Sequence, residues 1–125
     1  MADEAWRDNL DQRIRLDGGI VGVGVNDGWR DLIFDLVWDL DAMGVKYQIE
    51  QVKEKFGKLR FYAHIVGDAT KDQCDAFRRR IEACELRSSK VCETCGAPGS
   101  TRNINGWVST ACSAHERKYE DGNQQ

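Results

Sequence analysis

Residues 91–116 read VCETCGAPGSTRNINGWVSTACSAHE, and the spacing of four side chains in this stretch decides the fold. Cys92-x2-Cys95 and Cys112-x2-His115 form two donor pairs separated by sixteen residues. A two-residue gap lets both donors of a pair face one ion from a single tight turn, and two such turns complete the tetrahedron that Zn2+ prefers. Gly96 follows the first pair, where the chain must bend sharply for its amides to face a thiolate. STRNI and WVSTA flank Asn105-Gly106, a dipeptide suited to a two-residue hairpin because both positions take positive φ. Ser113 followed by Glu116 reads as a capping box that opens a short helix, carrying His115 toward Tyr119. Knuckle, hairpin and helix in that order describe a treble-clef or zinc-ribbon-like module over residues 91–125, with one structural Zn2+ held by Cys92, Cys95, Cys112 and His115.

Four protein donors leave no corner of the tetrahedron for a catalytic water. Two enzyme classes are also excluded on their own motifs. A zinc deaminase needs His-x-Glu followed by Pro-Cys-x-x-Cys, whereas here His64 precedes Ile-Val and Val91 precedes Cys92. A nuclease built on such a module would want a further His near the hairpin, and none lies between Cys95 and Cys112. The expectation is a protein without enzymatic activity.

Upstream, residues 1–90 are expected to form an α/β body: helix, glycine-rich loop, helix, hairpin, helix. The fold class is thus α+β, helices packed on an antiparallel hairpin, with the metal module continuous with them. VKYQIEQVKEKFGKLRFYAHIV, residues 45–66, alternates apolar and polar positions on either side of Phe56-Gly57, which predicts the hairpin. Residues 28–43 place Trp29, Leu32, Ile33, Leu36, Val37, Leu40 and Met43 on one helical stripe, with Asn26 and Asp27 as candidate caps and Gly44 as the stop. Trp6, Leu10 and Ile14 predict a short amphipathic helix ending at Gly18-Gly19. Thr70 with Gln73 is a capping box opening a helix whose Cys74, Phe77, Ile81 and Cys84 face the core, while at least one of Arg78, Arg79 and Arg80 snorkels from its edge. IVGVGVNDG is glycine-dense, but its glycines miss the dinucleotide-loop spacing and no parallel unit follows, so it reads as a loop or irregular strand. His64 is expected to be an ordinary strand residue.

The length of 125 residues suits one core, and 31% charged residues with eleven aromatics and a single proline describe a folding chain. Apolar runs such as LIFDLVWDLD are too often interrupted by charge to span a membrane. The opening MADEAWRD has no basic-then-apolar segment, and five cysteines do not form a disulfide pattern, so a reducing host cytoplasm is expected. Residues 1–50 carry eleven acids against five bases, and residues 78–118 four against eight, which makes the chain a dipole.

Two surfaces are candidates for partners. Asp31, Asp35 and Asp39 recur every four residues along one helix, a solvated face or a docking surface for a basic partner. Lys53, Lys55, Lys58 and Arg60 crowd the hairpin tip beside Phe56 and Tyr62, where they either stay solvated or grip a nucleic acid. Trp107 at the second hairpin's edge is a natural contact.

DGW before the apolar helix, VKEKFGKLRFY, CETCGAPG and GW-x2-T-x-C-x2-H, spread over residues 27–116, together resemble a family of small proteins encoded by bacteriophages and prophages. The resemblance implies a phage origin and a bound zinc on Cys92, Cys95, Cys112 and His115, and it implies no particular activity. The glycine-rich segment and the acidic face lie outside it. The functional expectation is a zinc-stabilised binding protein that inhibits a host bacterial defence protein. Its alternatives are a nucleic-acid-binding accessory protein using Arg102, Lys118 and the basic tip, and, less well supported, a sponge for a signalling nucleotide.

Overall fold

The computed structural model describes residues 5–14 and 23–116. The elements run α1 (Trp6–Asp11), β1 (Val23–Gly24), a 3-10 turn (Asp27–Trp29), α2 (Arg30–Ala42), β2 (Tyr47–Lys55), β3 (Lys58–Ile65), α3 (Lys71–Ser88), β4 (Ser100–Ile104) and β5 (Trp107–Ala111). The first sheet has the order β1-β2-β3, with β1 parallel to β2 and β3 antiparallel to it, and β4 pairs only with β5. The mixed α+β class agrees with the sequence reading, but the end of the glycine-rich run supplies a short strand that α2 connects to a parallel neighbour, β2, which corrects the expectation that no parallel unit follows it. The stop at Gly18-Gly19, Gly22 of the glycine-rich run, Lys118 and the helix end at Tyr119 lie outside the described residues.

The core forms where α2 and α3 lie on the inner face of the β2–β3 hairpin. Trp29, Ile33, Leu40, Ile49, Val52 and Leu59 are fully buried there, and Trp6, Leu10 and Ile14 close one side. Ile14 has left the helix, which stops at Asp11, and instead bridges to Ile49 in the manner of a strand. The register of β2 on β3 slips between Ile49 and Gln51, a bulge that period-two alternation gave no sign of.

The Thr70–Gln73 capping box is present in both directions, with Gln73 N–H donating to Thr70 Oγ1 at 3.0 Å and Thr70 N–H to Gln73 Oε1 at 2.8 Å. Asn26 and Asp27, by contrast, do not cap through their side chains. Asp27 Oδ1 accepts Trp6 Nε1–H at 2.9 Å and pairs with Arg7 at 2.7 Å, so its carboxylate ties α1 to the start of α2. Cys84 is buried as expected, but Cys74 is exposed near the N-terminus of α3, a correction to the reading that both are core residues. Of the three arginines, Arg78 pairs with Asp75 and Glu82, and Arg80 lines the groove between α2 and α3.

The outer margin of β3 is covered by α3 at its first half. Leu59 N–H donates to Ser88 Oγ at 2.9 Å and Phe61 N–H to Glu85 Oε2 at 2.9 Å, so two backbone donors pointing away from β2 are satisfied by helix side chains. No helix among the described residues is long and apolar enough to cross a membrane.

Candidate metal centre and recognition surfaces

Cys92 lies just beyond α3, in a bridge that pairs Val91 with Pro98, and Cys92 N–H donates to Ala97 O at 2.8 Å. Gly96, at φ +84°, returns its N–H to Cys92 O at 2.9 Å and closes the knuckle. β4 and β5 then turn through Asn105-Gly106, both at positive φ, and bring Cys112 back beside the first pair. His115 N–H donates to Cys112 O at 3.1 Å, forming a second tight turn. The expected helix start is not there. Residues 113–115 are a turn, and Glu116 pairs with Arg102 at 3.5 Å, which takes the carboxylate away from any capping role.

The ligand atoms of Cys92, Cys95, Cys112 and His115 all lie within 4.8 Å of one another. Cys95 Sγ and Cys112 Sγ are 3.7 Å apart, His115 Nδ1 is 3.3 Å from Cys112 Sγ and 3.7 Å from Cys92 Sγ. A tetrahedron with metal–sulfur bonds of about 2.3 Å has edges of about 3.75 Å, so these separations suit four ligands around one ion. They are far longer than the S–S bond of about 2.05 Å that a disulfide would require. The cluster can hold a single metal ion.

Two of the four donors, Cys92 and Cys112, are shifted toward the thiolate that binds a cation. Burial pushes the Cys92 thiol up, yet N–H groups of Cys112, Cys95 and Thr94 aimed at its sulfur bring it down to about 6. Burial likewise raises Cys112, but hydrogen bonding to His115 and the Ala114 N–H outweighs it and leaves this thiol lowered. Cys95 is helped by the Ala97 N–H, but burial and proton sharing with Cys112 and Cys92 leave it raised. His115 is raised by its contacts with Cys112 and Cys92. Crowding keeps protons on Cys95 and His115 that an ion would displace.

The knuckle is pressed into the body at one point. Gly28 N–H donates to Glu93 O at 2.8 Å, and Trp29 Nε1–H donates to Val91 O at 2.9 Å. A Cβ on Gly28 would stand 2.1 Å from the Cys92 carbonyl oxygen. The second hairpin leans on the first through Thr110, which is 1% exposed. Its Oγ1 donates to Gly57 O at 2.5 Å, its N–H donates to Glu93 Oε2 at 2.7 Å, and its carbonyl accepts Glu93 N–H at 2.9 Å.

The partner surfaces differ from their sequence reading in detail. On α2, Asp31 pairs with Arg30, while Asp35 and Asp39 border a groove that Arg80 and Arg87 of α3 also line, so the acidic row is partly neutralised. The centre of the outward face belongs instead to Trp38, 76% exposed, with Phe34 one turn earlier and 42% exposed. These two aromatics form an i, i+4 pair lying off the apolar stripe, a spacing visible in the sequence that the aspartate row overshadows. On the hairpin, Lys53, Lys55, Lys58 and Arg60 gather beside the turn as two cross-strand pairs, and the turn itself lies with the Gly57 backbone against Ser109 of β5. His64 sits in β3 and meets Glu50 at 3.0 Å, apart from the metal cluster. Trp107 is 58% exposed on β5. Comparison with protein-family models, with curated proteins and with solved structures finds no match to this chain.

Proposed function

We propose that this chain is a zinc-stabilised recognition protein of phage or prophage origin that acts without catalysis, by docking on a basic surface of a bacterial host protein and inhibiting it. The observation that carries the reading is Trp38, a large aromatic at the middle of the solvent face of α2, with Phe34 one turn earlier and Asp31, Asp35 and Asp39 along one flank. Burying an exposed tryptophan is a usual energetic centre of a protein interface, and the aspartates along one flank favour a partner rich in Lys and Arg. Zinc is the ion that a Cys3His tetrahedron favours. Since its four donors all come from the chain, the metal serves as a brace, with knuckle, hairpin and the turn at His115 forming a treble-clef-like module.

A reading as a nucleotide sponge has less support. Such a sponge would hold phosphate on the hairpin lysines and Arg60, and none of these lines the open groove of about 570 Å3 between β3 and α3, where Glu50, Glu82 and Glu85 stand beside Arg78 and His64.

The test is affinity capture from bacterial host lysate with the intact protein and with Trp38→Ala, both checked for one bound zinc by elemental analysis. A specific host protein should be captured by the first and weakened at least about 30-fold by the substitution, as for a central interface residue. Equal capture by both proteins overturns the assignment of the α2 face, and a metal content near zero overturns the zinc brace.

A further inference from the structure

The outer face of the β2–β3 hairpin carries an arrangement that folding alone disfavours. Residues directly opposite one another on an antiparallel pair share a face, and here Lys53 faces Arg60 and Lys55 faces Lys58. Two like-charge pairs are therefore stacked in consecutive positions of one sheet face. Among the described residues none of the four has a carboxylate within ion-pair distance. The neighbouring acid that might have neutralised them, Glu54, points to the other side and accepts the Gly57 N–H at 2.6 Å. Gly24 of β1 lies beside Lys53, its missing side chain leaving the lysine stem uncovered on that flank.

Aromatic rings accompany the cations. Tyr62, opposite Gln51 on the same face, is 43% exposed, and Lys53 Nζ lies 5.9 Å from its ring centroid. Phe56 is 68% exposed at the turn and adopts φ +54°, the left-handed conformation that a phenylalanine enters only against steric resistance. The molecule solves the same turn at Asn105-Gly106 with a residue that tolerates this conformation, so the ring at position 56 is not required by the turn.

We propose that this face is a binding site for single-stranded nucleic acid, its four cations following the phosphates and Tyr62 and Phe56 stacking on exposed bases. Unpaired cations in cross-strand rows suit a polyanion, and accessible rings on a sheet suit bases that are not already stacked in a duplex. A duplex would call for an arm that enters a groove, and the hairpin tip is held down on β5. This site goes beyond the docking reading of α2 and uses none of its residues.

The test is a fluorescence anisotropy titration of the zinc-loaded full chain with a labelled twenty-nucleotide oligo-dT, its ribonucleotide counterpart oligo-U, a duplex of equal length, and polyglutamate. Oligo-dT, oligo-U or both should bind. With four phosphate contacts on a single strand, log K should fall against log salt with a slope of about −3, so that affinity drops about 50-fold between 50 and 200 mM salt. The double substitution Lys53→Gln with Arg60→Gln should halve that slope while leaving the melting temperature equal or higher, because it relieves a like-charge pair. A merely structural role would move the melting temperature down instead. Tyr62→Ala should weaken binding about tenfold, Tyr62→Phe should restore it, and Trp38→Ala should leave it unchanged. Absence of binding to both single strands at 50 mM salt overturns the site, as does tighter binding of the duplex, equal binding of polyglutamate, or indifference to the Lys53/Arg60 substitution.

Discussion

The β2–β3 hairpin turns through Phe56-Gly57 and the β4–β5 hairpin through Asn105-Gly106, each pair at positive φ in a two-residue connection. Beyond the turn they share little. β2 and β3 bury Ile49, Val52, Leu59 and Phe61 against two helices, so apolar area removed from water holds the first hairpin. In β4 and β5 only Thr110 is buried, and β4 is exposed along nearly its whole length. An isolated two-stranded hairpin is marginal in water, so the second one must be held from outside, by Thr110 on the first hairpin and by an ion where the cluster at its base holds one. The difference teaches that one chain can use one turn geometry with two unrelated sources of stability, an apolar core for the first hairpin and, for the second, Thr110 together with a cluster able to hold a metal ion.

The most severe way to separate the two hairpins is to remove the ion. A strong zinc chelator, or Cys112→Ser, should abolish hydrogen-exchange protection of the β4–β5 amides while β2–β3 keeps most of its own, since structural zinc contributes about 10 kcal/mol or more in isolated modules. Protection persisting in β4–β5 would show that metal is not its support.

Gly28→Ala should come next. Its methyl group would meet the knuckle backbone at Cys92, and the overpacking should lower stability in urea denaturation by about 3 kcal/mol, along with zinc affinity. A loss below about 0.5 kcal/mol would mean that the knuckle is free to shift away from the body.

The smallest effect exchanges the turns. Phe56→Asn should raise stability by about 0.5–1 kcal/mol by relieving a left-handed phenylalanine, and Asn105→Phe should lower it by a similar amount. Thermal melts of the two variants would settle the comparison, and equal shifts of the same sign would break it.

What could be read from the sequence was what is local. Two donor pairs at two-residue gaps, Asn105-Gly106, and Thr70 with Gln73 each act over four residues or fewer, and each takes its expected geometry. The apolar stripe of α2 was equally legible, because a helical period repeats along the chain. The misreadings arise where a distant partner wins. Asp27 resembles a cap until Trp6 and Arg7 draw its carboxylate away, and Glu116 resembles half of a capping box until Arg102 takes it. Cys74 shares the helical spacing of Phe77 and Ile81 but stands one turn nearer the open end of α3, where solvent reaches it. Gly28 gave no warning at all, since a close backbone approach is invisible in a sequence until both sides of it are folded.

The closure of β3 by α3 bears on how copies of this molecule treat one another. A sheet margin with free amide donors invites a neighbour's strand to add on, the first step of templated self-association into fibrils. Ser88 and Glu85 occupy the donors of Leu59 and Phe61 that such a strand would seek, and the Glu85 carboxylate presents negative charge to its carbonyl oxygens. One face of a helix thereby blocks templated strand addition along the half of β3 nearest the turn.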